Sequence, residues 1–238
     1  MPKRALRDRV IYGGKLVRAC RPGRPAETAE MIWTFRTVAP FTGVDVPRLR
    51  DLWRLSRKAD ERGLPGALVQ CGTWNGGSAG VIARASRRSA RPLWLFDSFE
   101  GFPAPTPGDK GGSGLHAGDW RGTPSAVAEV MRRLGVDARR LRVRPGWFKD
   151  TLPAAREEIG PIALLSIDAD LYQSVKESLQ YLYDLVVPGG YVVLDDYGFW
   201  PGCRRAVYEF FVERDITPAL VQSDVTGAWF EKPAEPTP

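Results

Sequence analysis

The sequence predicts an α/β protein built on a mostly parallel, seven-stranded sheet that ends in an antiparallel C-terminal hairpin and is preceded by N-terminal helices. Two observations lead to this fold class. From residue 67 onward, short apolar runs alternate with stretches of helical period, which is typical of repeated βα units. Near the C-terminus, two strand-like segments are joined by a short turn. Because a parallel pair needs a long crossover, these two strands are predicted to be antiparallel.

Two helices are predicted ahead of the sheet, over 25–38 and about 47–62, with Pro25 at the start of the first. Between them lies the loop Thr42-Gly43-Val44, and the two helices either pack on the core or form a lid over a pocket. Strands are predicted near residues 67–71, 93–97, 141–145, 162–167 and 190–195. The helices between and after them are predicted near 77–87, 123–134, 150–158, 173–186 and 202–214. The hairpin strands are predicted over 217–222 and 227–231.

The chain has 238 residues, enough for one substantial core. We interpret it as an N-terminal basic arm with lid-like helices (1–62), a main domain (63–232) and a Pro-rich tail (233–238) that is expected to be disordered. The apolar runs are too short to cross a bilayer and the start lacks a secretory signal, so a soluble, cytoplasmic protein is expected. Three scattered cysteines and one histidine argue against disulfide staples and a zinc cluster.

The formal charge of +6 is concentrated before residue 25, where eight basic residues face a single acid, Asp8. A solvated or partner-contacting arm is the favoured interpretation, and nucleic-acid binding is the alternative rather than the expectation. Pairing of two copies through this N-terminal region is a further hypothesis.

Ligands of open α/β sheets bind beyond the carboxyl ends of the strands, and four of these ends carry unusual residues. The first is the glycine-rich turn from Gln70 to Ser78, where glycines admit a ligand to the backbone and a helix N-terminus offers free N–H groups. A tight turn that needs glycine for its own sake is the alternative.

The second of these strand ends carries Asp97, at the place where nucleotide-binding folds have an acid that binds the ribose hydroxyls. The alternative is that Asp97 is a cap or turn residue. Residues 98–103 are interpreted as a cofactor-covering loop.

The third and fourth ends carry acids: Asp168 and Asp170 after one strand, and Asp195 and Asp196 after the next. Acids at adjacent strand ends can converge, and crowded carboxylates are costly unless a cation or proton compensates. Three or four such oxygens suit Mg²⁺, Ca²⁺ or Mn²⁺. A metal site is favoured for Asp168, Asp195 and Asp196 over Asp170. Capping of the helices that follow is the alternative.

Five stretches resemble the TylF/MycF family of macrocin-type O-methyltransferases over about residues 40–215: VQCGTWNGGS, WLFDSFEGFP, RPGWFKDTLP, LLSIDADLYQS and PGGYVVLDDYG. The resemblance implies a class I methyltransferase of Rossmann-like fold whose catalytic domain is 63–232. It also implies S-adenosylmethionine as methyl donor and Mg²⁺ or another divalent cation at the acceptor site. The implied acceptor is a small-molecule hydroxyl, first of all that of a sugar on a natural product such as an antibiotic.

Position by position, the resemblance implies that Gly72, Gly76 and Ser78 line the methionine end of the donor. It also implies that Asp97 binds the ribose and that Trp147 and Phe148 lie near the adenine. The further expected donor contacts are Gln70, Thr73, Trp74, Ser98, Gly146 and Asp168. Asp168, Asp195 and Asp196 would hold the metal, with Asp168 also as catalytic base. His116, a lone loop histidine, is a candidate auxiliary base.

Gln70 departs from the family pattern, because an acid often stands at this place. Its carbonyl oxygen can accept a hydrogen bond from the donor's ammonium but supplies no charge. Three alternatives therefore stay open: a catechol or phenol O-methyltransferase, a nucleic-acid-binding methyltransferase that uses the basic arm, and a non-catalytic scaffold. The stretch from Pro105 to Trp120 is particular to this chain.

Overall fold

The computed structural model describes residues 25–109 and 115–234, so the basic arm and the end of the tail lie outside the described residues. The described strands form one sheet in the order β3-β2-β1-β4-β5-β7-β6. They are β1 (Ala67–Cys71), β2 (Leu93–Asp97), β3 (Leu141–Pro145), β4 (Ile162–Ile167), β5 (Val186–Leu194), β6 (Val221–Gln222) and β7 (Ala228–Glu231). Strands β1 to β5 are parallel, and β7 is antiparallel to β5 and β6. The predicted fold class is confirmed.

Helices cover both faces of the sheet. They are α1 (Pro25–Val38), α2 (Val46–Glu61), α3 (Gly77–Ala85), α4 (Pro124–Arg133), α5 (Phe148–Ile159), α6 (Tyr172–Leu182) and α7 (Pro201–Glu213). Helices α1 to α4 contribute to one hydrophobic cluster and α5 to α7 to the other. Strand β1 alternates between them, with Leu68 in the first cluster and Val69 in the second. Strands β1 and β4 are buried throughout, which explains their continuous apolar sequence.

The N-terminal helices are packed into the core. Phe35 and Val38 of α1 and Leu49 and Leu55 of α2 are fully buried. Burying a side chain of this kind contributes about 1.5–3 kcal/mol, so these helices are held firmly on the sheet. Packing of these helices on the core is therefore observed, and their action as a lid stays a prediction.

The structure differs from the sequence expectation at the hairpin. Strand β6 is limited to Val221–Gln222 instead of beginning at 217. Pro218 lies within the expected strand and has no N–H to donate, and both residues of β6 are exposed at the sheet edge. Strand β5 begins earlier than expected, at Val186, because its first residue pairs with Ile162 ahead of a register irregularity. Among the described residues, no helix is both long and apolar enough to cross a membrane.

Candidate functional site

The carboxyl ends of β1, β2, β4 and β5 open into one cavity of about 630 Å³. The glycine-rich loop after β1 and Asp97 after β2 lie on one side of it, and the acids after β4 and β5 lie on the other. Most residues selected from the sequence line this cavity: Gly72, Thr73, Trp74, Ser78, Asp97, Ser98, Trp147, Phe148, Asp168, Asp195 and Asp196. The topology therefore brings the two predicted halves of a site together.

The glycines of the loop after β1 serve different purposes. Gly72 lines the cavity and has a φ of +83°, and a Cβ there would lie 1.7 Å from the Asp168 carbonyl oxygen. Gly76 caps α3 with a φ of +86°, and its Cβ would meet Val127 of α4 at 3.1 Å. Gly76 does not line the cavity and packs against α4, so its donor contact stays a prediction.

Gln70 lies behind the cavity wall rather than on it. Its side chain is fully buried, and its Nε2 donates to the Ser78 Oγ at 2.7 Å. Its Oε1 has no partner among the described residues. Ser78 does line the cavity, so Gln70 can influence a ligand by orienting that hydroxyl, whereas a direct bond to a donor ammonium is not supported.

Asp97 holds the glycine-rich loop to the end of β2. Its Oδ2 accepts the N–H groups of Thr73 and Trp74 at 2.8 and 2.7 Å, and its Oδ1 accepts that of Phe99 at 2.7 Å. The turn-stabilising interpretation is therefore observed. Because a carboxylate offers about four lone-pair sites, Asp97 still has capacity for a ligand hydroxyl in the cavity that it lines.

The acids after β4 and β5 converge as expected. One carboxylate oxygen each of Asp168, Asp195 and Asp196 lies within 4.8 Å of the others. Burial, then repulsion from Asp195 and Asp196, raises the pKa of Asp168 well above its usual range. Burial, then repulsion from Asp196, raises the pKa of Asp195 to about 8. Asp170 lines the same cavity, and its backbone N–H donates to Asp196 at 3.0 Å. Such crowding favours a bound cation.

Arg48 of α2 is a residue of this site that sequence reasoning missed. Its guanidinium forms an ion pair with Asp195 and another, at 3.2 Å, with Asp224 in the turn between β6 and β7. Helix α2 is rich in arginine, so no local signal distinguished this one. A single guanidinium can balance the charge of only one of the three carboxyl groups when all of them are ionised. Through Arg48 and the loop Phe41–Val44, the N-terminal helices reach the cavity.

Aromatic side chains form much of the remaining wall. The rings of Trp74 and Trp120 meet edge to face with centroids 5.1 Å apart, and those of Phe199 and Trp200 do so at 4.9 Å. Trp120, Phe199 and Trp200 were not selected from the sequence, because aromatic residues in loops carry no distinctive spacing. Gly146 precedes the expected adenine contacts but does not line the cavity itself.

His116 is not part of this site. Its side chain is 81% exposed, pairs with Asp119 at 3.4 Å, and is absent from the cavity wall. The structure therefore does not bring His116 together with the acid cluster, and its role as an auxiliary base stays a prediction without structural support.

Comparison with known proteins agrees with this geometry. The family model described as macrocin-O-methyltransferase (TylF) matches residues 35–232. The chain is 35% identical over 205 residues to the demethyldecarbamoylnovobiocin O-methyltransferase of Streptomyces niveus, covering 80% of this chain and 75% of that protein. It is 34% identical over 207 residues to the 8-demethyl-8-(2,3-dimethoxy-alpha-L-rhamnosyl)-tetracenomycin-C 4'-O-methyltransferase of Streptomyces olivaceus, covering 81% and 76%. The solved structure of the O-methyltransferase NovP superposes with a TM-score of 0.72 at 31% identity, covering 82% and 83%.

Proposed function

Because this chain belongs to the macrocin O-methyltransferase (TylF) family, we propose that it transfers the methyl group of S-adenosylmethionine to a sugar hydroxyl on a small natural product, with a divalent cation at the acceptor site. One observation carries the proposal: the glycine-rich loop with Asp97 and the cluster of Asp168, Asp195 and Asp196 face the same cavity. A donor on the first side and an acceptor on the second would be held as neighbours, which methyl transfer requires.

The donor would occupy the side formed by the glycine-rich loop, Asp97 and Trp147. Its carboxylate suits the N-terminus of α3, where backbone N–H groups lack helical partners. One of its ribose hydroxyls suits the remaining acceptor site of Asp97, about one of four. The rings of Trp147 and Phe148, at the start of α5, provide an apolar surface for the adenine.

The acid cluster fits a divalent cation. Three carboxylates in mutual reach are oxygen ligands of the kind that Mg²⁺ prefers, and Arg48 neutralises only part of their charge. When bound by Asp168, Asp195 and Asp196, the cation would lower the pKa of the acceptor hydroxyl and stabilise the negative charge that develops on its oxygen.

Asp168 connects the two halves of the site. Its backbone carbonyl lies against Gly72 on the donor side, and its carboxylate belongs to the acid cluster. This position supports the role that we propose for Asp168, which is to orient the acceptor hydroxyl toward the donor methyl and to receive its proton. The aromatic side chains that line the cavity would exclude part of the water from the reacting groups once ligands are bound.

The charge of the cavity bears on the acceptor. Among the residues that the structure describes, six carboxyl groups and two cationic side chains, Arg48 and Lys149, line it. A neutral glycoside with neighbouring hydroxyls could offer two oxygens to a cation held by these acids. The name of the Streptomyces olivaceus relative, which specifies a rhamnosyl group, supports a glycoside. A catechol is the second candidate, since it offers the same pair of neighbouring oxygens.

Calorimetric titration of S-adenosylmethionine and S-adenosylhomocysteine tests the donor site. The intact protein should bind both, and Asp97→Asn should weaken binding by about tenfold or more, because a charge-assisted hydrogen bond is lost. Asp215→Asn, at an exposed position after α7, is the matched control and should bind normally. A failure of the intact protein to bind either compound would favour the scaffold alternative. Equal affinity in Asp97→Asn would refute the ribose role.

Removal of divalent cations is expected to make stability depend on pH. A carboxyl whose pKa is raised on folding contributes stability fully below its ordinary pKa of 3.8, and for Asp195 this is lost as the pH rises through about 8. Chelated protein should therefore melt at a lower temperature at pH 8 than at pH 5.5, and Mg²⁺ should raise Tm more at pH 8. In Asp195→Asn, the difference in Tm of the chelated protein between pH 5.5 and pH 8 should be smaller. Equal Mg²⁺-induced shifts at both pH values would contradict the metal assignment.

A further inference from the structure

We propose that Asp109 is a positioning residue for the acceptor, because it fastens one wall of the cavity to the start of α6. The inference rests on the proposed function, since it concerns the acceptor side of the same cavity. The loop between β2 and α4 contains Asp109 and supplies Phe102, Pro103, Ala104 and Thr106 to the cavity wall. A wall built from a loop needs an anchor if it is to present one shape to a ligand.

Asp109 provides that anchor with both carboxylate oxygens. Its Oδ2 accepts the backbone N–H and the hydroxyl of Thr106, each at 2.8 Å. Its Oδ1 accepts the backbone N–H of Tyr172 at 2.6 Å. Tyr172 is the first residue of α6, where the N–H has no partner within the helix. One buried carboxylate, 7% exposed, thus joins the cavity wall to a helix of the central fold.

Helix α7 leaves room for this carboxylate. A Cβ at Gly202, in the first turn of α7, would lie 2.2 Å from the Asp109 Oδ1 and 3.0 Å from the Tyr172 nitrogen. A glycine makes a helix less stable than an alanine at the same position would, by about 1 kcal/mol. The presence of glycine at position 202 therefore needs a local reason. The close approach of Asp109 supplies that reason. Gly202 therefore offers a second, independent way to disturb the same anchor.

The anchor lies on the acid side of the cavity. Tyr172 follows Asp170 by two residues, and Asp170 lines the cavity together with Gln173 and Ser174 of α6. None of the hydrogen bonds of Asp109 involves the glycine-rich loop or Asp97. Phe102 is tied separately, by backbone hydrogen bonds with Gly118 and Asp119, each at 2.9 Å. Loosening the anchor should therefore change mainly the separation between residues 104–106 and the acids, and leave residues 98–103, which are expected to cover the cofactor, in place.

The variants Asp109→Ala, Asp109→Asn and Gly202→Ala test this role. Alanine removes all three hydrogen bonds, whereas asparagine keeps one acceptor oxygen and should retain part of the anchor. We expect the acceptor KM to rise about tenfold in Asp109→Ala and by a smaller factor in Asp109→Asn. In Gly202→Ala the acceptor KM should also rise. The donor Kd should stay within about twofold. Asp119→Asn, an exposed acid of the same loop, is the matched control and should leave both constants unchanged.

The reporter is release of S-adenosylhomocysteine with a panel of neutral rhamnosides and related deoxysugar glycosides, using whichever the intact protein methylates best. Hydrogen exchange at the amides of Thr106 and Tyr172, which needs no acceptor, should accelerate in all three variants. An unchanged acceptor KM, or a donor Kd that weakens as much as the acceptor KM, overturns the positioning role. If Asp109→Ala does not fold, the acceptor KM and the donor Kd of Asp109→Asn and Gly202→Ala test the positioning role instead. Failure of the intact protein to methylate any glycoside or catechol would instead overturn the proposed function.

Discussion

Replacement of Asp168 by asparagine is expected to lower kcat/KM by about 10²- to 10⁴-fold, the range associated with loss of a proton-transfer or charge-stabilising group. The substitution keeps the size of the side chain and removes its charge. It takes one carboxylate from a cluster in which Asp168, Asp195 and Asp196 lie within 4.8 Å of one another. The acceptor hydroxyl would lose its proton acceptor, and the cation would lose a ligand.

The same substitution should raise the stability of the chelated protein. Repulsion among the acids is one cause of the raised pKa of Asp168, so a neutral amide relieves part of it. A fall in activity accompanied by a rise in Tm separates a functional role from a structural one, because a structural residue would lose both. Donor binding should stay within a few-fold by calorimetry, and Asp215→Asn serves again as the control. Activity within tenfold of the intact protein would refute the assignment of Asp168.

Replacement of Gly72 by alanine is expected to destabilise the fold by more than about 4 kcal/mol or to prevent folding. Two effects combine at this position. The φ of +83° is costly for any residue with a side chain, and the new Cβ would lie 1.7 Å from the Asp168 carbonyl oxygen. The ends of β1 and β4 would have to separate, and this is the line along which the donor and acid sides of the cavity meet.

Gly135→Ala is the matched control for Gly72→Ala. Gly135 also has a positive φ, +64°, but a Cβ there would have nothing within 4 Å. Its replacement should cost only the backbone strain of about 1–2 kcal/mol. The difference between the free energies of unfolding of the two variants, measured by chemical denaturation, therefore gives the cost of the steric clash at Gly72. A loss of stability in Gly72→Ala no larger than in Gly135→Ala would contradict the close approach of β1 and β4.

Local patterns in the sequence were sufficient for much of the site. Gly72, Asp97, Asp168 and Asp195 were found because residues at the carboxyl ends of parallel strands share one sheet edge, whatever the helices do. The same reasoning could not distinguish a glycine that faces a ligand from one that faces a helix. The family resemblance assigned Gly76 to the donor, and the structure adds that α4 packs against this position. Chemical type alone similarly suggested His116, which the structure leaves exposed.

The sequence by itself determined the strand and helix types, the antiparallel hairpin and the acids at the strand ends, because hydrophobic period and turn length act over a few neighbouring residues. Only the tertiary structure decided which distant side chains meet these acids. Arg48 reaches Asp195 across 147 positions of the chain, and Asp109 reaches Tyr172 across 63. Such contacts depend on how helices and loops close over the sheet, and packing geometry rather than any local pattern sets that closure.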